Sequence, residues 1–434
     1  LLKRLLIAIV GIVLIGAIAV VGLSWHSAIA PIAAPAAASF SPQLVEQGAM
    51  LAGQGNCAAC HTVKGGAQLA GGVPLATPFG TIYSTNITPD PATGIGSWSQ
   101  AAFKRAMHEG VRQDGAHLFP AFPYTHFSIV NDADLTALYA WLMTRPAVVA
   151  PAKALTLPFP LDQRPLQAGW KLLYFDKTAD ATNAAKSVDW NRGRYLAEGL
   201  AHCAACHTPR NALGAERKDD AYRGASIDGW YAPALTAANT TPLPWTEAEL
   251  FQYLRRGATT LHGSAVGPMS EVVHDGLALS SDADVHALAV YFADMNGSAT
   301  RAETNAAASA TALAGVMARS ATVAGQYNNH GATLYLSACA SCHSNSDGKP
   351  NILRPELGLN SALTEPDPAN LIRVILHGVG RAEGMQDVMM PGFAQSLTDA
   401  DIAELASWLR SRTASAPWQN LATSVAAIRK NSAP

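Results

Sequence analysis

The chain has 434 residues, too many for a single hydrophobic core, and its length suggests about three domains of ~100–150 residues. Thirty basic residues against 32 acidic ones give a net charge of −2, and only 14% of residues are charged, so no basic field exists to hold nucleic acid.

At the N-terminus Lys3-Arg4 precedes an unbroken run of small and apolar residues from Leu5 to Leu23, 19 in all, enough for a helix across ~30 Å of hydrocarbon. A cleaved signal is the competing reading, since Ala28-Ile29-Ala30 resembles a cleavage site, but signal cores are usually about 7–15 residues. The expectation is a transmembrane anchor over residues 1–25. Positive charge before it places everything after Trp25 outside a bacterial inner membrane, on the periplasmic side. Ala and Pro from Ile29 to Ala38 read as a spacer.

Cys57-Ala-Ala-Cys60-His61 follows, and the pattern recurs as Cys203-Ala-Ala-Cys206-His207 and Cys339-Ala-Ser-Cys342-His343, 146 and 136 residues apart. These use all six cysteines. Two thiols can add across the vinyl groups of a haem while the next residue offers an imidazole to the iron. Zinc would need further Cys or His at paired spacing, and a redox CxxC would need only one copy. The reading is three covalently bound haem c groups, which also fits an exported protein.

Each motif sits in a longer repeat. A glycine lies eight to ten residues upstream, at Gly48, Gly193 and Gly331. A last helix opens further on with Asn131-Asp-Ala-Asp134, Ser281-Asp-Ala-Asp284 or Thr398-Asp-Ala-Asp401, in which the first side chain caps the helix and the fourth favours its positive end. Apolar residues then recur at helical spacing. A middle helix starts near Ser99, Thr246 and Asn370, and its Arg105, Arg255 and Arg373 are candidates for neutralising haem propionates or for simple solvation. The connectors are rich in Pro and Ala. The first, residues 146–187, carries Trp170, Tyr174 and Phe175 and is too apolar to hang free.

The side of the iron opposite the histidine sets its reactivity. Met390, followed by Pro391, is the candidate in the third repeat, and Met269, after Gly267-Pro268, in the second. The first repeat has Phe122 at the corresponding place, and phenylalanine cannot bind iron. His126 is the choice there, with Met107 and His108 as rivals.

These segments resemble the cytochrome c fold. The loop Thr77-Pro-Phe-Gly80, Tyr83-Ser84, Asn86-Ile-Thr-Pro-Asp90 and Thr93-Gly-Ile-Gly96, with Cys206-His-Thr-Pro-Arg-Asn211 and Leu213-Gly-Ala215, resembles the trihaem cytochrome c subunit of bacterial membrane-bound dehydrogenases over residues 41–415. Phe122 with Pro123-Tyr124-Thr-His126, and Leu157-Pro-Phe-Pro160 with Arg164-Pro165-Leu166, look more like the branch that serves molybdopterin aldehyde or N-heterocycle oxidoreductases than the quinoprotein alcohol or flavin sugar-acid branches.

The resemblance implies an all-α chain: three tandem cytochrome c domains behind the anchor, at 41–145, 188–298 and 325–415, with connectors at 146–187 and 299–324 and a tail from 416 to 434. It implies an electron-transfer subunit with no substrate-oxidising site of its own. Its expected partners are a molybdopterin catalytic subunit with an iron–sulfur small subunit, and ubiquinone. A haem enzyme with an open first iron, or the electron-delivery subunit of a haem-copper oxidase, remains the alternative.

Overall fold

The computed structural model describes residues 3–5, 11, 16, 22, 25–177, 181–298, 302–321, 328–344, 352–353, 355–380 and 388–431. It divides into two compact units. The first is Leu1–Ala184 with Tyr195–His202 and Ala212–Ala215, and the second is Ala185–Arg194 with Cys203–Asn211 and Glu216–Pro434.

In the first unit, helix α1 (Pro42–Gln54) starts at Ser41, whose hydroxyl accepts from the Leu44 amide, with Pro42 pre-set for the first turn. Strands β1 (Pro74–Thr77) and β2 (Gly80–Tyr83) form an antiparallel hairpin in which Thr77 faces Gly80. Helix α2 (Gln100–Glu109) is capped by Ser99 and stops at Gly110, φ 60°, the left-handed backbone that glycine accepts most readily. Helix α3 (Asp132–Met143) opens from Asn131, whose side chain accepts from the Asp134 amide. Leu51, Phe103, Leu135, Leu138 and Tyr139 form the buried core between them, with Cys57, Ala58 and Phe122 packed on its edge.

The first connector is strapped to this unit. Asn86 donates to the Val148 carbonyl at 2.7 Å. Helix α4 (Leu166–Tyr174) turns Lys171 inward, where its ammonium donates to the Glu109 and Gly110 carbonyls and lies over the Tyr124 ring.

In the second unit, α5 (Val188–Tyr195), all but its last residue, begins another repeat, followed by β3 (Ala225–Ile227) and β4 (Trp230–Ala232). Asp228 and Gly229, with φ of 50° and 74°, make the two-residue turn between these strands. Helix α6 (Glu247–Arg256) carries a reciprocal Thr246–Glu249 capping box. The short strands β5 (Ala258–Thr259) and β6 (Gly263–Ser264) precede α7 (Asp282–Met295), capped by Ser281. Helix α8 (Ala302–Ala321) occupies the second connector.

The third repeat comprises α9 (His330–Ala338), α10 (Ala369–His377) and α11 (Asp399–Ser411), the last with a Thr398–Asp401 capping box. The tail forms α12 (Leu421–Asn431), which buries Val425 in the third core and bonds Arg429 to Asp399 at 2.6 Å. Within this unit Asn370 on α10 accepts from the Tyr231 amide at 2.9 Å and donates to its carbonyl at 2.7 Å, closing β4 as a further strand would.

First and last helices cross at the upstream glycines. A Cβ at Gly48 would lie 2.1 Å from the Ala137 carbonyl oxygen, at Gly193 1.9 Å from that of Ala287, and at Gly331 2.6 Å from that of Glu404. Four residues beyond each of those carbonyls an aromatic, Trp141, Tyr291 or Trp408, sets its own Cβ against the same glycine.

Two expectations are corrected. The fold is mostly helical rather than all-α, because the described residues include three two-stranded antiparallel sheets, two of them closed by two-residue turns. Among the described residues no helix is long and apolar enough to cross a membrane. The run from Leu5 to Leu23 lies outside the described residues except at positions 5, 11, 16 and 22. The longest described helix, α8, carries Glu303 and Arg319 among Ala, Ser and Thr. The N-terminal membrane anchor, and with it the assignment to an inner membrane, is therefore not what the structure shows.

Candidate haem sites

Each CxxCH motif closes a short helical turn: Cys57–His61, Ala204–His207 and Ala340–His343. A helical turn puts residues three and four apart on one face, so both thiols and the imidazole address the same side. In all three the first cysteine is half-buried and the second exposed. Cys57 with Ala58, and Cys339 with Ala340, pack against the cores of their repeats, which gives a planar apolar group a wall to lie on. Burial, with the neighbouring cysteine adding, pushes the Cys57 thiol up to about 12 and the Cys339 thiol up to about 11.

The histidines are held alike. Nδ1 of His61 meets the Thr85 carbonyl at 2.7 Å, that of His207 the Pro233 carbonyl at 2.6 Å, and that of His343 the Pro355 carbonyl at 3.1 Å. A carbonyl can only accept, so the proton sits on Nδ1 and the Nε2 lone pair is the one presented to a metal. Burial lowers all three histidines, keeping each imidazole neutral as a ligand must be. The carbonyl lies 24, 26 and 12 residues beyond the histidine. The two longer loops are those that contain the β1–β2 and β3–β4 hairpins. These donor sets fit covalent haem c, and the chain is a three-haem protein.

The candidate sixth ligands stand as follows. Met269 lies half-buried in the turn Pro268–Glu271, directly after Gly267 at φ 56°, where a Cβ would meet the Trp230 indole at 2.5 Å. Met390 exchanges both backbone hydrogen bonds with Val379, at 3.0 and 3.1 Å. It is half-buried, whereas Met389 is 59% exposed.

His126 sits in the turn Tyr124–Phe127, buried, with Nδ1 at 2.9 Å from the Glu198 carbonyl and its ring edge-on to His202. Of its rivals, Met107 is core, and Nε2 of His108 lies 2.7 Å from the Val130 carbonyl. Phe122 packs edge-on against Phe127 at 5.2 Å and so serves as wall.

The middle-helix arginines hold main chain. Arg105 donates to the carbonyls of Ser27, Arg112 and Gln113. Arg255 reaches Leu277, Ala278 and Ser280 and pairs with Asp282 at 3.0 Å. Arg373 donates to Gly229 at 2.6 Å and lies over Trp230. The residues that sequence reasoning missed are Thr85, Pro233 and Pro355, which act through a carbonyl that every residue owns.

A family model described as cytochrome c matches residues 45–146 and 329–413. The chain is 44% identical over 414 residues to a subunit of nicotinate dehydrogenase from Pseudomonas putida, covering 94% of this chain and 34% of that protein. It thus spans about a third of that relative's length. It is 37% identical over 418 residues to the fructose dehydrogenase cytochrome subunit of Gluconobacter japonicus, covering 91% of this chain and 84% of that one. To the cytochrome c subunit of alcohol dehydrogenase (quinone) from Gluconacetobacter polyoxogenes it is 35% identical over 405 residues, covering 90% and 85%.

Proposed function

The chain belongs to the cytochrome c subunits of dehydrogenases, and on that premise we propose that it carries electrons from a molybdopterin and iron–sulfur partner that oxidises an aldehyde or an N-heterocycle to ubiquinone. The observation that carries the electron-transfer role is the threefold repetition of one site, two cysteines and a histidine fixed by a backbone carbonyl. The likeness at 44% to a nicotinate dehydrogenase subunit supports the partner class, as do Phe122 and the segment around Arg164. The quinone acceptor is supported by a relative named for it.

A haem c supplies reversible one-electron chemistry when bound. The chain's own residues do the rest: the cysteines fix each group, the Nδ1 contacts orient His61, His207 and His343, and the cores beside Cys57 and Cys339 exclude water. Met269 and Met390 would close the opposite faces of the second and third irons and raise their potentials. His126, held at Nδ1 as the motif histidines are, would close the first and lower its potential. Grading of potential along the three sites gives the flow its direction. In this reading the cytochrome domains are residues 41–145, 188–298 and 325–415.

Full-length likeness to the fructose and alcohol dehydrogenase subunits, more than four fifths of each covered, favours a second reading with a flavin or quinoprotein partner. Cofactor analysis of the complex captured through this chain separates them. Molybdenum with iron beyond three haems supports the first reading, and flavin or a quinone cofactor without molybdenum overturns it.

A further inference from the structure

A cavity of about 460 Å³ lies within the second unit, between the β4 loop of one repeat and the α10 approach of the next. Tyr231, Ala234 and Thr240 line it from one side, and Thr364, Glu365 and Arg410 from the other. Glu365 is 2% exposed, and its Oε1 has no hydrogen-bond partner among the described residues. A buried carboxylate without partners is costly, so such a group either holds a proton or needs a charge to answer it.

The nearby Arg410 guanidinium favours the ionised carboxyl, but burial outweighs it, and its hydrogen bonds go to main chain instead. The Arg410 guanidinium donates to the backbone carbonyls of Leu363, Glu365 and Ala416 and lies 4.3 Å over the Trp418 ring. The other groups facing the carboxyl are Asp367, which disfavours its ionisation, the Tyr231 phenol, and Arg223 on the cavity wall. Asp367 is occupied at the α10 start, accepting from the Ala369 amide at 2.9 Å and from Ser226 at 3.2 Å.

The cavity also adjoins a haem site. Ala234 on its wall follows Pro233, whose carbonyl takes the His207 Nδ1 proton. The main chain that orients His207 is thus continuous with the wall of the cavity that holds the buried Glu365 carboxyl.

We propose that Glu365 is a redox-linked proton site: it takes up one proton from solvent when one electron enters the haem c attached at Cys203 and Cys206, and returns it when the electron leaves. The electron comes from the upstream donor and the proton from water, so charge in the buried region stays balanced. The proposal rests on haem attachment alone and not on the identity of the partner dehydrogenase.

Burial sets the window, raising the Glu365 carboxyl to about 8. Below that pH the group is protonated in both redox states and no proton moves. Above it the oxidised protein has lost the proton that the reduced protein regains, so the potential falls as pH rises, by at most tenfold in the reduction equilibrium per pH unit.

The test is a chemical redox titration of the haem-loaded full chain across about pH 6 to about pH 10, which brackets the values of about 8 to 9 that strongly buried carboxyls reach. One haem of the unsubstituted chain is expected to hold a constant potential below about 8 and to fall above it. In Glu365→Gln that haem keeps its low-pH potential throughout. Superposable curves for the two proteins overturn the proposal. Reduced-minus-oxidised infrared spectra of the unsubstituted chain at the alkaline end give a second readout should the variant fail to fold. A protonated-carboxyl band that grows on reduction is expected, and an unchanged carboxyl region contradicts the proposal.

Discussion

Cys203 and Cys206 stand one helical turn apart with His207 next to them, and thioether formation needs only these two thiols and the vinyl groups of one haem. Cys203→Ala or Cys206→Ala is therefore expected to weaken or abolish covalent attachment at one site and leave the other two intact. Intact-mass analysis under denaturing conditions checks this, and a chain still carrying three covalent haems in the double variant contradicts it. If Met390 closes the third iron as proposed, its sulfur would favour the reduced state, so Met390→Ala is expected to lower the potential of one haem and leave two unmoved in a spectroelectrochemical titration. The same holds for Met269→Ala at the second site. The motifs were legible because they are local. The carbonyls of Thr85, Pro233 and Pro355 were not, since a carbonyl 12 to 26 residues downstream leaves no mark in side-chain identity.

Among the elements, the clearest sequence signal was the triplet of upstream glycines. The structure shows its cause, three helix crossings so close that an added methyl would sit 1.9 to 2.6 Å from a carbonyl oxygen. Gly48→Ala, Gly193→Ala and Gly331→Ala are each expected to force a crossing apart and to cost at least the ~1–3 kcal/mol typical of overpacking, read as a lower denaturant midpoint. A midpoint equal to that of the unsubstituted chain would show that the crossing relaxes freely. The caps Asn131, Ser281 and Thr398 were also readable, because a short polar side chain before an acidic first turn has few other uses. Thr398→Ala is expected to lose about 1 kcal/mol with its capping box. The β-hairpins were less legible. Asp228-Gly229 is a strong two-residue turn signal, but its strands have three residues each, too short to show alternation. Helix α8 was masked by Ala-rich composition, which reads equally well as linker.

For the molecule as a whole, the length argument for several cores agrees with the repeated helix triplets, yet the chain packs as two units, with Tyr195–His202, just before the second motif, grouped with the first repeat. Hydropathy alone also suggested a membrane helix, and no described helix is one. Packing between the second and third repeats has a consequence for acid–base behaviour. Glu365 is raised by burial from 4.5 to about 8 in the folded chain, so between those values the folded state holds a proton that the unfolded chain has lost. Stability then falls as pH rises across that window. Glu365→Gln is expected to flatten this dependence in thermal unfolding, and an unchanged slope would show that the carboxyl ionises freely in the fold.

If this chain conducts electrons drawn from a partner's substrate rather than reacting with that substrate itself, its haems must follow the partner's turnover. Stopped-flow spectroscopy of the complex, mixed anaerobically with the partner's substrate and then with a soluble ubiquinone, reads this in one experiment. All three haems are expected to reduce only when the partner subunit is present and to reoxidise on addition of quinone. Oxidation of the substrate by this chain alone, or haems that stay oxidised while the complex turns over, would contradict the conducting role.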